Sequence, residues 1–417
     1  MSRDAKKSQL FYGYLVTAAG FSIWFTGWGT FTPCFGVFFK PLLNEFGWTR
    51  AGTTLAYSLS FMVQAGVAIA MGWLTDKLGP RAVLTVFGSF VGICYLLLSQ
   101  ITSLWQFQMT YALIGGIGIS TITVPVMATV SRWFLKRRGL MIGIVQAGVS
   151  IGGFLFPPFS VWLILAHGWR TAYAILGVIA LVGIVGAGFF LRRDPRDVGQ
   201  WPDGAREEVE KEMIQPLSSS LNPVFSLREA IRTSQFWILV GLYASFGFCR
   251  TTFTAHIVVQ VQDLGFTLFD GANVLAVLSA SSIIGRIGMG RVADKIGNKP
   301  AFIISFAATA IILGWVLIAH SLWGLYLFAL VFGFAWGAQA VLRFAVTSEV
   351  FGMVSLGLLM GIFGFAESGA ATFGSYIAGH IFDVTGSYQQ AFWAGIVISV
   401  VGIALAWLLK APEREDM

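Results

Sequence analysis

The chain has 417 residues, of which 56% are hydrophobic and only 11% charged, with a formal net charge of +7. Apolar stretches of about 20 residues recur along it, each long enough to cross a hydrocarbon core of about 30 Å as a helix. They are too long and too uniformly apolar for tilted barrel strands, and backbone groups in lipid must be satisfied within a segment, so an all-α membrane protein is expected.

In chain order the first apolar segment follows the basic stretch "MSRDAKKSQL". It is too long for a signal-peptide core and has no convincing small-residue cleavage site, so it is read as an uncleaved span. Spans are expected at 11–39, 52–74, 82–100, 106–131, 140–164 and 171–191, and after a polar break at 236–261, 271–291, 301–319, 322–346, 356–380 and 389–409. That makes twelve.

Lys and Arg set the orientation. With both termini in the cytoplasm, Arg132, Lys136, Arg137, Arg138, Arg192, Arg193, Arg291, Lys295 and Lys299 lie inside, and the opposite loops keep Lys40, Arg50 and Arg170. This bias places the protein in an inner or plasma membrane, and the excess of positive charge reports topology and gives no reason to invoke nucleic acid. Cys34, Cys94 and Cys249 lie singly within spans, without the spacing of a metal site or a disulfide framework. "GGIGIS" sits inside span four with no preceding strand and is no nucleotide loop. No cofactor is expected.

The interval 192–235 mixes charge, proline and serine and reads as a cytoplasmic linker, with a short amphipathic helix around 205–213. It divides an N-terminal bundle, 1–191, from a C-terminal bundle, 236–417. The halves repeat each other: "GWLTDKLGPR" beginning at Gly72 corresponds to "GRVADKIGNK" beginning at Gly290, 218 positions later. A six-plus-six chain with an internal repeat is the pattern of a secondary transporter.

These two copies resemble the loop signature of the major facilitator superfamily, Gly-x-Leu-x-Asp-Lys/Arg-x-Gly-x-Arg/Lys. The resemblance implies the major facilitator fold, twelve transmembrane helices in two six-helix bundles, and gives Gly72, Asp76, Lys77, Arg81, Gly290, Asp294 and Lys295 a gating role. Glycines permit close helix contact there, and the Asp can accept hydrogen bonds from a facing helix N-terminus. Gly115, Gly116, Gly118, Gly143, Gly148, Gly152, Gly357, Gly361 and Gly364 supply further small faces for packing.

A cation at bilayer depth costs several kcal/mol, about 3 or more, unless it faces water or a partner, so an intramembrane charge is read as functional. The candidates are Arg250, Arg286, Arg343 and Glu367. Arg286 lies about 12 Å from Asp294 at the inner edge and Glu367 about 16 Å into span eleven from the same side, which allows them to pair. Arg343 stands six residues before Glu349, near enough to that side for its head to snorkel inward. The repeat equivalent of Arg286 is Ala68, so the helix itself does not require the arginine. A planar guanidinium facing water is a receptor for carboxylate. Around it are placed Trp28, Gln146 and Ser282, and the stripes Tyr243-Phe246-Arg250 and Trp336-Gln339-Arg343, although such stripes also serve packing.

"FTGWGTFTPCFGVFFKPLLNEFGWTR" resembles the opening signature of the monocarboxylate porters, and "RTSQFWIL" and "SEVFG" resemble the oxalate:formate antiporters. The resemblance implies that Arg286 binds substrate carboxylate. In two places the sequence departs from those families. The antiporters' lysine in helix eleven corresponds to Glu367, and the aspartate one turn before the arginine in animal porters corresponds to Ser282.

Glu367 is therefore the expected proton carrier, ionised in an empty cavity and neutralised as an arriving anion captures Arg286. Asp263 and, a turn and a half away, His256 are alternative relays. The expected function is proton-coupled symport of a small monocarboxylate of the lactate, pyruvate or acetate type by a monomer in the bilayer. Alternatives are organic-anion exchange, drug efflux and, from another class, a non-transporting sensor; no nucleophile-base pair or ligand cluster suggests an enzyme.

Overall fold

The computed structural model describes residues 11–204, 227–351 and 356–410. The expected linker helix at 205–213 lies outside them. Span one is two helices, Tyr12–Phe31 and Phe35–Phe46, interrupted at Thr32-Pro33-Cys34. Pro33 lacks the amide that would continue the ladder. Gly47, at φ 66°, ends the second piece.

Span two is Arg50–Leu78 and span three Pro80–Leu98. Span four is Leu104–Leu113 and Ile119–Trp133, joined by a π-helical turn at Ile114–Gly118. The turn's glycines admit neighbours to the backbone: Phe31 and Ser60 crowd Gly115, and Val63 crowds Gly116. Spans five and six form one run, Arg138–Gly188, bent at Gly168, whose φ of 81° favours glycine.

After a short helix, Leu227–Arg232, spans seven to twelve are Ser234–Asp263, Leu268–Ile296, Asn298–Val316, Leu322–Phe351, Leu356–Thr385 and Gln389–Leu408. All twelve expected spans are present, most of them a few residues longer than their apolar cores. Ile69, Ile311 and Trp323 are 81%, 73% and 82% exposed. Such surface is stable only against lipid.

The end bearing Tyr12 and Leu408 is called here the basic end, and the other the distal end. The halves meet along two seams, span two against span eleven and span five against span eight. At the distal end both are closed. On the first, the Ser58 and Ser375 hydroxyls lie 2.8 Å apart, Thr372 Oγ1 donates to the Ser58 carbonyl at 3.2 Å, and Asp383 accepts from the Arg50 and Ala51 amides at 2.9 and 2.7 Å. On the second, closure begins at mid-helix, where the Ser150 and Ser282 hydroxyls are 3.0 Å apart, and continues toward the distal end with Ser279 against Gly153.

Toward the basic end the same faces separate. Gly143 and Gly290 continue the second seam, and Gly361 and Gly364 the first; nothing lies within 4 Å of where their side chains would be. Gly72 has only Val124, at 3.9 Å. The close contact expected at Gly72 and Gly290 is thus absent here, because their faces lie on the open side of the fork. Gly148 and Gly152 do pack closely on span one, where a Cβ added at either would come within 2.7 Å of the Phe21 or Phe25 carbonyl.

Candidate functional site

The second seam explains where Arg286 stands. Ser279, Ser282, Arg286 and Gly290 follow one another along one face of span eight. Ser279 lies against Gly153 and Ser282 against Ser150, whereas Gly290 faces open space. Arg286 occupies the fork between. Its Nη1 donates to the Gln146 carbonyl across the seam at 3.2 Å, while its buried Nε has no partner. No carboxylate lies within 4.0 Å of it among the described residues.

The other intramembrane charges form a separate cluster. Glu367 Oε2 is paired with Arg343 Nη1, and Oε1 lies 3.7 Å from Arg250 Nη2. The expected pairing of Glu367 with Arg286 is thus replaced by two other arginines, since spans seven and ten flank the inward face of span eleven. The snorkelling expected of Arg343 is also overturned. Its guanidinium turns into the bundle, 3.9 Å over the Phe246 ring and 5.0 Å from that of Tyr243. Arg250 reaches the opposite half, 5.2 Å over Phe61. Arg250, Arg286 and Arg343 together outnumber the single carboxylate of Glu367, so the charge of these four groups is net positive.

Several expected site residues are committed elsewhere. Ser282 is fully buried, its hydroxyl donating to the Ser279 carbonyl at 2.7 Å. Tyr243 is buried against span ten, its hydroxyl near Thr347 Oγ1 at 3.1 Å and the Arg343 carbonyl at 3.3 Å. The Tyr243 and Trp336 stripes pack on each other, which is why the spacing alone overstated them. Gln339 donates to Thr309 Oγ1 at 3.1 Å. With Trp336 and Arg250 it lines a cavity of about 10 Å³ inside the C-terminal half, room for about one water. Trp28, half-buried, donates to Thr123 Oγ1 of span four at 3.2 Å. Gln146 takes part through its carbonyl, which no side-chain pattern signals.

Asp263 is neither a free loop residue nor near the central charges. It accepts from Arg50 Nη1 and Nη2 at 2.6 and 3.0 Å and from Lys40 at 3.4 Å, joining the halves at the distal end. That assignment as a relay is corrected to a clamp. Arg50 also stacks 3.4 Å over Phe382 and donates to the Tyr388 hydroxyl at 2.8 Å. The third distal cation, Arg170, bonds Glu45 at 2.6 Å, and Trp169 Nε1 donates to the same carboxylate at 2.5 Å. Lys40, Arg50 and Arg170, expected only as loop charges, each have a carboxylate partner.

At the basic end Asp76 pairs with Arg132 at 3.0 Å and with Arg193 at 3.8 Å, both in its own half. Lys77 and Arg81 lie over Trp73 and Phe189, each at 4.9 Å. Asp294 and Lys295 are exposed at the same end, where Asn298 donates to Glu349 at 2.8 Å. None of these bonds joins the halves.

The sequence profile of the Major Facilitator Superfamily matches residues 10–298 and 261–417, together nearly the whole chain. This chain belongs to the major facilitator superfamily. It is a multi-pass membrane transporter and not an enzyme. Among its relatives, monocarboxylate transporter 13 of Bos taurus is 27% identical over 86% of this chain and 80% of its own length. The agnestins efflux protein AgnL12 of Paecilomyces divaricatus is 29% identical over 92% and 84%. The oxalate:formate antiporter of Oxalobacter formigenes is 26% identical over 88% and 84%. A bacterial homologue of the human lysosomal transporter Spinster, solved inward-facing and occupied, shares the fold with a TM-score of 0.75 at 16% identity, covering 96% of this chain and 97% of that one.

Proposed function

We propose that this facilitator carries small monocarboxylate anions, with Arg286 as the group that receives the carboxylate. The observation that carries this is that Arg286 has no carboxylate partner among the described residues, while Arg250 and Arg343 share Glu367. Relatives named for monocarboxylates and for oxalate and formate support the substrate class. The basic end is assigned to the cytoplasm by the positive-inside bias, which makes the described state open inward. Gly290, Gly143, Gly361 and Gly364 then line the faces that close when the carrier turns outward, and an anion bridging Arg286 to span five favours that closure.

Symport with a proton is the coupling we favour. Uptake of a bare anion against an inside-negative potential costs about 2.3 kcal/mol per 100 mV, and a co-transported proton removes that cost. Glu367 is the central group able to carry it. It is held by Arg343 and lies 3.7 Å from Arg250, and an arriving anion that draws one of these arginines away leaves the carboxylate free to share a proton. The same bracket favours a second reading, exchange of one organic anion for another, in which Glu367 is a fixed counter-charge and Arg250 a second clamp.

Radiolabelled lactate, pyruvate, acetate, formate and oxalate, presented to proteoliposomes with and without a pH gradient, separate these readings. Symport predicts gradient-driven uptake without internal counter-substrate, lost in both Arg286→Ala and Glu367→Gln. Gradient-driven uptake that survives in the glutamine variant removes Glu367 from proton coupling, and uptake that requires internal anion selects exchange.

A further inference from the structure

Of the four histidines, His167, His320 and His380 are exposed, and His256 is buried where the halves meet at the distal end. Its Nε2 lies 3.0 Å from the Ser375 carbonyl, an acceptor only, so Nε2 carries a hydrogen. Its Nδ1 lies 3.0 Å from the Tyr388 hydroxyl, whose oxygen already accepts from Arg50 Nη1 at 2.8 Å. The chain is satisfied in one sense: Arg50 donates to Tyr388, Tyr388 donates to Nδ1, and Nε2 donates to Ser375. Ser375 in turn touches Ser58 across the first seam.

A neutral imidazole therefore completes the closed distal end. A second ring proton would point Nδ1–H at the Tyr388 oxygen, leave the tyrosine's own proton without an acceptor, and add a cation beside Arg50. The groups facing this ring are Arg50 of span two, Asp263 of span seven, Asp383 of span eleven, Tyr388 before span twelve, and Lys40 and Phe39 of span one, the Phe39 ring at 5.6 Å and 72° to the imidazole. Both carboxylates are already engaged by Arg50, through its side chain or its amide. A cavity of about 10 Å³ beside His256, lined by Thr252, Gln260, Tyr388 and apolar side chains, has room for about one water to deliver a proton.

We propose that His256 is the proton-binding latch of the distal gate, neutral when that end is closed and protonated when it is open. Protons on the distal side thereby favour outward opening, and the carrier turns outward where protons are plentiful. This rests on proton coupling as proposed above but not on Arg286 or on the identity of the acid, because the gate responds without substrate.

The test is a distance measurement between spin labels on cysteines replacing exposed Gln100 and Gln390, at the distal ends of the two halves, in substrate-free protein between pH 8 and pH 5.5. The population with a long distance should rise as pH falls, by at most about tenfold per pH unit for one proton. His256→Gln should abolish the shift, and Tyr388→Phe, which loses only the connecting hydroxyl, should lose most of it; His380→Gln should keep it. A wild-type shift that persists in His256→Gln and Tyr388→Phe, or a wild-type gate indifferent to pH, overturns the proposal. Failure of Arg286→Ala to affect uptake would leave this measurement unchanged.

Discussion

Arg286 is distinguished by what it lacks. All three arginines have a buried Nε without a partner, but Arg343 and Arg250 have a carboxylate and aromatic rings, whereas among the described residues Arg286 has one backbone carbonyl. A charged donor in that condition gains most from a planar acceptor. Arg286→Lys, with the charge kept and the fork lost, should weaken uptake by about tenfold or more, read as a rise in half-saturating substrate concentration. The residue itself is legible in the sequence: an arginine in an apolar run, without an equivalent in the other half. The partnership of Glu367 is not, since depth along a helix fixes height but not azimuth, and two arginines closer in azimuth took the carboxylate. Ser282 misled for the same reason, facing its seam at the right height.

The seams give the helices their functional shape. Span eight passes within one stretch from sealed Ser282 through Arg286 to unopposed Gly290, and span eleven from Ser375 to unopposed Gly364 and Gly361. On the proposed cycle, glycine on an unopposed face leaves the helices smooth for a contact made when the basic end shuts. Gly290→Leu should leave the thermal midpoint of this state nearly unchanged, a surface substitution costing within about 0.5 kcal/mol, yet cut transport turnover by about tenfold or more. Normal turnover in that variant would show that the face never closes. The spans were readable from hydropathy and the repeat from two loop motifs. The break at Pro33 was written in the sequence, but the π turn at Ile114–Gly118 was not, because it exists to seat Ser60, Val63 and Val91 from other helices.

For the whole molecule, a carrier closed at one end and open at the other must exchange those states to work. The distal end is held by the Asp263 and Asp383 clamps on Arg50 and by the Ser58–Ser375 contact, all between halves, whereas the bonds described at the basic end stay within one half. Replacing Ser58 and Ser375 together by cysteine and oxidising the pair should stop transport, with recovery on reduction. Full transport by the cross-linked protein would mean the distal end need not open. This asymmetry was invisible in the sequence, where Lys40 and Arg50 read only as sparse loop charges. Equilibrium binding of the radiolabelled carboxylate panel to purified protein, wild type against Arg286→Ala, tests the central assignment most directly. Loss of one partner of a buried charged contact costs about 2–5 kcal/mol, so affinity should fall by about thirtyfold or more. Binding to Arg286→Ala at wild-type affinity would contradict Arg286 as the carboxylate receptor.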